Sequence, residues 1–166
     1  MNTILMDTIN LSVFDEDGKL ITKIKTAKGA SLRHNDRRGD SYLIIDDVLL
    51  NLKMLEAISE KEERKSLNDF DKVLQSSSEE TVLKFKQRIS DKEQPKFKLI
   101  GEGILYSPET STVSHDFKII VQEAIYVNGL EMEFENREAF TPSYSFKLLP
   151  YNDEKDVFDL RLKERK

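Results

Sequence analysis

Apolar residues recur along this chain mainly at the two-residue spacing of strands, with one middle stretch at helical spacing. Ile9-Asn10-Leu11-Ser12-Val13-Phe14 alternates and stops at Asp15-Glu16-Asp17-Gly18, after which Leu20-Ile21-Thr22-Lys23-Ile24 resumes. Two short strands around an Asp-Gly turn predict a β-hairpin, because Asp and Gly supply the positive φ angles that a tight turn needs. Residues 26–41 lack a clear period and predict a long loop. Tyr42-Leu43-Ile44-Ile45 reads as a short buried strand, and Asp46 or Asp47 can then cap a helix. Val48, Leu49, Leu52, Leu55 and Ile58 give that helix its apolar face, which fades into the charged run Glu60–Lys65. Ser66-Leu67-Asn68-Asp69 resembles a capping box, followed by Leu67, Phe70, Val73 and Leu74 on a second helix. The pattern therefore predicts a helical insertion at about 46–76.

Thr81–Ile89 fits either a helix or a strand, and the alternation of Lys84, Lys86 and Arg88 with Leu83, Phe85 and Gln87 favours a strand. The last third is clearer. Phe97–Tyr106 predicts a strand with Gly101 and Gly103 inside it, where glycine marks a bulge, a bend or a close backbone approach. Ser107–Thr112 predicts a loop, and Phe117–Val127 a long strand ending at the hairpin signal Asn128-Gly129. Leu130-Glu131-Met132-Glu133-Phe134-Glu135 returns, Tyr144–Leu149 adds another strand, and Asp156–Leu162 forms a last strand or an arm. The sum is one α+β domain over 1–166: an antiparallel β-sandwich or split β-barrel with one or two helices packed against it.

With 166 residues, the chain is long enough for a single core. Its net charge of −5 argues against a dedicated nucleic-acid binder, which carries a basic stripe. Cysteine is absent, which excludes disulfide frameworks, thiol nucleophiles and cysteine zinc ligands. The first residues lack a basic region followed by a long apolar one, and no apolar run reaches the length of a membrane helix. The expectation is an intracellular soluble protein.

Chemistry-bearing motifs are sparse. Asp15-Glu16-Asp17-Gly18 has strand flanks and lacks the ligand spacing of a calcium loop, so it reads as a turn. Arg38-Gly39-Asp40 is a chance tripeptide, whereas Arg33, His34, Arg37 and Arg38 together form a basic loop able to grip phosphate or an acidic neighbour. Gly101-Glu102-Gly103 lacks the third glycine and helix of a dinucleotide site. His34 and His115, the two histidines, have no further ligand at metal spacing. No nucleophile motif accompanies them, so no enzyme, metal or cofactor is expected. On the strand reading, Leu130, Met132 and Phe134 face one way while Glu131, Glu133 and Glu135 face the other. Glu123 and Glu102 can join that acidic row. The row is either a half-exposed polar strand face or the lining of a space that repels anions.

The order of these elements carries a resemblance. Lys96-Phe97-Lys98-Leu99-Ile100-Gly101-Glu102-Gly103 is followed by a polar loop, then by Phe117-Lys118-Ile119-Ile120-Val121-Gln122-Glu123-Ala124-Ile125-Tyr126. A Leu-x-Met-x-Phe strand, an acidic stretch and Tyr144-Ser145-Phe146-Lys147 complete the series. The series resembles the C-terminal half of tail-tube proteins of contractile-tail phages, relatives of Hcp-like tube subunits. The opening hairpin, Leu11–Ile24, is also similar to that family's first hairpin. The resemblance implies a structural subunit of the virion tail, assembled in the host cytoplasm into stacked, usually sixfold rings. It implies a homo-oligomer that can meet other tail or sheath proteins and touches no membrane. Glu131, Glu133, Glu135, Glu123 and Glu102 would line the lumen, letting DNA pass without specific binding. Arg33, His34, Arg37 and Arg38 would contact the adjacent subunit. The competing reading is a small acidic interaction module that binds or blocks a basic partner. A carboxylate hydrolase ranks below both, since nothing selects a catalytic pair.

Overall fold

The computed structural model describes residues 2–6, 9–35, 37, 39–47, 52–63, 69–74, 81–106, 113–127 and 143–165. Its strands are β1 (Asn2–Met6), β2 (Ile9–Phe14), β3 (Leu20–Asn35), β4 (Asp40–Asp47), β5 (Glu60–Glu63), β6 (Thr81–Lys84), β7 (Lys96–Tyr106), β8 (Val113–Tyr126), β9 (Ser143–Leu148) and β10 (Asp159–Glu164). The helices are α1 (Leu52–Ile58) and α2 (Asp69–Leu74), with a 3₁₀ turn at Asp91–Glu93.

Pairing is antiparallel throughout and runs β1-β3-β2-β7-β8-β9-β4, with β10 on β8 and a separate β5-β6 pair. The main sheet folds over on itself as a sandwich and is not closed into a regular barrel. β3 makes the fold possible. Its first part pairs β2, and its second part pairs β1 and β4, with an irregularity between Thr26 and Ala30. This is the expected α+β, antiparallel sandwich-like architecture, with α1 as the helix that packs against it.

The alternation seen in the sequence decides which side chains meet. Ile9, Leu11 and Val13 of β2, Phe97 and Leu99 of β7, and Phe117, Ile119 and Val121 of β8 are buried in one core. Leu32, Leu43, Ile45, Tyr144, Phe146 and Leu148 close it from the facing strands, and Met54, Leu55 and Ile58 of α1 add to it. Phe146 lies edge-on to Phe97 and Tyr126, at centroid distances of 6.0 Å and 6.0 Å. Such ring pairs add modestly to their burial.

Two local devices shape β7 and β8. Gly101 is buried on the core side, where an added Cβ would lie 2.6 Å from Ile9 Cδ1. The glycine is the close approach its place in the strand pattern suggested. Farther along, Phe97 pairs Ala124 while Leu99 pairs Val121, so Gln122 and Glu123 together oppose Lys98. This is a β-bulge; it keeps Val121 and Ala124 both buried while turning both intervening side chains outward.

Several expectations need correction. Residues 26–41 are no loop: β3 runs to Asn35, and β4 begins at Asp40. Ala30 and Leu32 are buried while Arg33 is exposed, an alternation hidden in the sequence by small and charged residues. Neighbours on both edges supply the hydrogen bonds that hold so polar a strand extended. The insertion at 46–76 is helical only in part, with α1 and α2 (Asp69–Leu74) in the two places expected. β4 extends to Asp47, α1 covers only Leu52–Ile58, and Glu60–Glu63 is a strand paired with β6. Alternating charges along Glu60–Glu63 are as compatible with an exposed hairpin as with a helix end, and cross-strand pairing selects the hairpin. Residues 85–89 continue β6 as irregular chain. The Asn128-Gly129 turn, the Leu130–Glu135 strand, the Ser107–Thr112 loop and the Ser66 cap lie outside the described residues.

Three turns share one plan. Gly18 N–H donates to Asp15 O at 3.0 Å, Gly39 N–H to Asn35 O at 3.0 Å, and Lys155 N–H to Asn152 O at 3.1 Å. Each opens on Asp or Asn, whose side-chain oxygen also accepts a backbone N–H: from Lys19 and Asp17, from Arg37, and from Asp156. Each closes on a residue with positive φ: 84° at Gly18, 71° at Gly39 and 61° at Lys155. Only the third places a side chain in that left-handed conformation, which costs about 1–2 kcal/mol for a non-glycine residue.

Candidate assembly surface

The basic group predicted for a loop sits instead at the tip of the β3–β4 hairpin. Arg33 is exposed at the end of β3, opposite Tyr42, and Arg37 is exposed in the turn. His34 points the other way: its Nδ1 lies 2.7 Å from Ser41 Oγ, and its ring meets Phe158 edge-on at 5.5 Å. His34 is thus a packing residue at the sandwich end rather than a companion of the arginines. Arg38 lies outside the described residues.

The acidic row divides in the same way. Glu131, Glu133 and Glu135 lie outside the described residues. Glu102 and Glu123 are on the outer side of β7 and β8, and each has a lysine beside it. Lys118 Nζ is 3.3 Å from Glu102 Oε1, and Lys96 Nζ is 2.8 Å from Glu123 Oε1. The hydrogen bond from Lys96 to Glu123, with their mutual attraction, holds the ammonium above its usual range. Sequence reading missed these lysines because Lys118 and Lys96 lie far along the chain from Glu102 and Glu123; only the β7–β8 register brings each pair together. Surface pairs of this sort contribute little stability, but they cancel local charge.

Elsewhere the charged groups also form ion pairs. Arg165 Nη2 lies 2.8 Å from Asp116 Oδ1, and that hydrogen bond depresses the Asp116 carboxyl. Lys147 meets Asp91 at 2.9 Å and is held above its ordinary value by that hydrogen bond. Lys86 meets Glu60 at 2.8 Å and lowers its carboxyl.

Two open clefts flank the first turn. One, of about 570 Å³, lies between the Asp15–Lys19 turn, α1 and the start of β7. The other, of about 360 Å³, lies between Glu16, Lys98, Gln122 and Tyr151. Their walls mix both charge signs, and neither brings a nucleophile and a base together. Among the described residues, no group of three His, Cys, Asp or Glu is placed to hold a metal ion. No described helix is long and apolar enough to cross a membrane.

The feature that does stand out is an edge. β10 pairs β8 from Asp159↔Ile120 to Glu164↔His115, and no described strand pairs its other side. All six of its residues are exposed. Leu160 and Leu162, opposite the buried Ile119 and Phe117, remain 36% and 53% exposed. An open strand edge with an apolar strip is a template for another chain. The alternating sequence Asp159-Leu160-Arg161-Leu162-Lys163 carried this signal. Compared with known proteins, the chain matches no protein-family model, and no curated protein is similar to it in sequence.

Proposed function

We propose that the chain is a structural subunit of a phage-type tail tube, assembling into stacked rings through which DNA passes. The observation that carries the reading is the open β10 edge, with Leu160 and Leu162 beside it, at the margin of a folded-over antiparallel sheet. Ring closure would satisfy such an edge and leave none exposed. The sandwich with one packed helix suits the same reading, as do the described clefts, which bring no catalytic set together. Lysines neutralise Glu102 and Glu123, so in this proposal the repulsion of DNA phosphates rests on Glu131, Glu133 and Glu135. Arg33 and Arg37, exposed at a hairpin tip, are placed to reach an acidic surface on an adjacent subunit.

Negative-stain microscopy of the concentrated purified protein tests the proposal. Rings or tubes are expected, and Glu131→Lys with Glu133→Lys should spare their assembly while impairing DNA passage. A monodisperse monomer at every concentration would overturn it.

A further inference from the structure

We infer that the C-terminal arm, Val157–Glu164, exchanges between copies: β10 of one chain occupies the β8 edge of a second copy. The connection that holds the arm in place is strained. Lys155 is the single described non-glycine residue with positive φ, at 61°, where the two sister turns place glycine. Opening this turn relieves the strain, and opening it is what exchange requires. Strained, short hinge loops favour exchange over local closure.

The arm itself is lightly held. Every residue of β10 is exposed. Among the described residues its attachments include the strand pairing to β8, the packing of Val157 and Phe158 against the core, the Phe158–His34 ring contact and the Arg165–Asp116 ion pair. None of these depends on the arm belonging to the same chain. A second copy offers the same seat: Ile119 and Phe117 opposite Leu160 and Leu162, Asp116 for Arg165, and His34 for Phe158. Charge, apolar contacts and register are therefore all matched by a second copy. The connector also has reach. Residues 149–158, drawn out, span on the order of 30 Å, enough to cross to an adjacent molecule. Exchange keeps the contacts of each seat and needs no new surface. Opening the turn gives its hydrogen bonds, Lys155 N–H to Asn152 O, Tyr151 N–H to Asp156 O and those between Asn152 and Asp156, over to water and releases the backbone strain at Lys155.

The chain has no cysteine, which makes cross-linking unambiguous. Lys118 and Arg161 are exposed register partners on β8 and β10. Lys118→Cys and Arg161→Cys are prepared as separate proteins, mixed at high concentration, incubated and treated with a short bismaleimide. A covalent heterodimer joined through positions 118 and 161, mapped by mass spectrometry, is the expected result. Lys155→Gly in both proteins should lower its yield about fivefold, because the closed turn is then unstrained. The double variant in one chain reports the closed arm. If it links internally while the mixed single variants never join 118 to 161, exchange is overturned. Asp159→Cys with Ile120→Cys, another register pair, repeats the test should the first pair disturb folding. Cross-linking is read on pairs of copies, so it stands or falls separately from ring formation.

Discussion

The contact between Gly101 and Ile9 gives the sharpest quantitative test of the packing. A Cβ at position 101 would lie 2.6 Å from Ile9 Cδ1 and 3.3 Å from Cγ1. Ile9 is 1% exposed, so its end methyl has little room to swing away. Gly101→Ala therefore overpacks the site at about 1–3 kcal/mol. The stiffer unfolded chain returns about 0.4–1 kcal/mol, and the net loss should be about 1 kcal/mol. Ile9→Val removes Cδ1 and costs about 0.5–1.5 kcal/mol alone. It also removes the nearest clashing atom, leaving the contact at 3.3 Å. The double variant should then be about 1 kcal/mol more stable than the sum of the single losses. The unfolded-chain contribution of alanine is the same in both backgrounds, so it cancels from the coupling. Urea unfolding followed by far-ultraviolet circular dichroism measures all four proteins. Additivity within about 0.3–0.5 kcal/mol would refute the reasoning, because contacts that do not couple are not in contact.

Lys155→Gly should stabilise the chain by about 0.5–1 kcal/mol, the left-handed cost removed less the extra freedom of glycine when unfolded; thermal melting should shift upward, and a fall would count against turn strain. Phe146→Ala, at a fully buried ring between Phe97 and Tyr126, should cost about 3–5 kcal/mol by urea unfolding, and a loss under 1 kcal/mol would show that the ring is not packed. Burial, and then the neighbouring Tyr144, push the Tyr126 hydroxyl up to about 12 from 10.0. Both states are neutral below pH 10; above it the unfolded phenol ionises first, so stability should fall as pH rises from about 10 towards 12. Urea midpoints across that window should decline less in Tyr126→Phe, and ultraviolet titration should find one late-ionising tyrosine that the variant lacks.

The outline of the fold was legible where period and turn chemistry agreed. Ile9 to Val13, the Asp15–Gly18 turn, Phe97 to Tyr106 and Tyr144 to Leu148 are strands or turns for the reasons visible in their residues. It was illegible where pairing outweighs composition. Residues 26–35 carry too few apolar side chains to declare a strand, and they are extended because β1 and β4 bind both edges. Glu60–Glu63 reads as a helix end until β6 is set beside it. The surface followed the same division. Individual charges were visible, but the lysines that pair with Glu102 and Glu123 depend on a register that no local window contains. Lys155 shows a subtler limit: the Asn152 opener signals a turn, but the missing glycine hides where it closes.

β3 has a consequence for how the molecule comes apart. Its first half is paired to β2 and its second lies between β1 and β4, within one unbroken backbone. Neither half of the sandwich can peel away without tearing hydrogen bonds from the same strand. Opening therefore starts at the margins, at β1, at the β10 edge or at the β5–β6 hairpin, each held by one neighbouring strand among the described residues. The β3 amides near Leu32 should be among the last to exchange with solvent deuterium, and those of β10 among the first. A subunit built in this way can loosen its margin repeatedly while its centre stays folded.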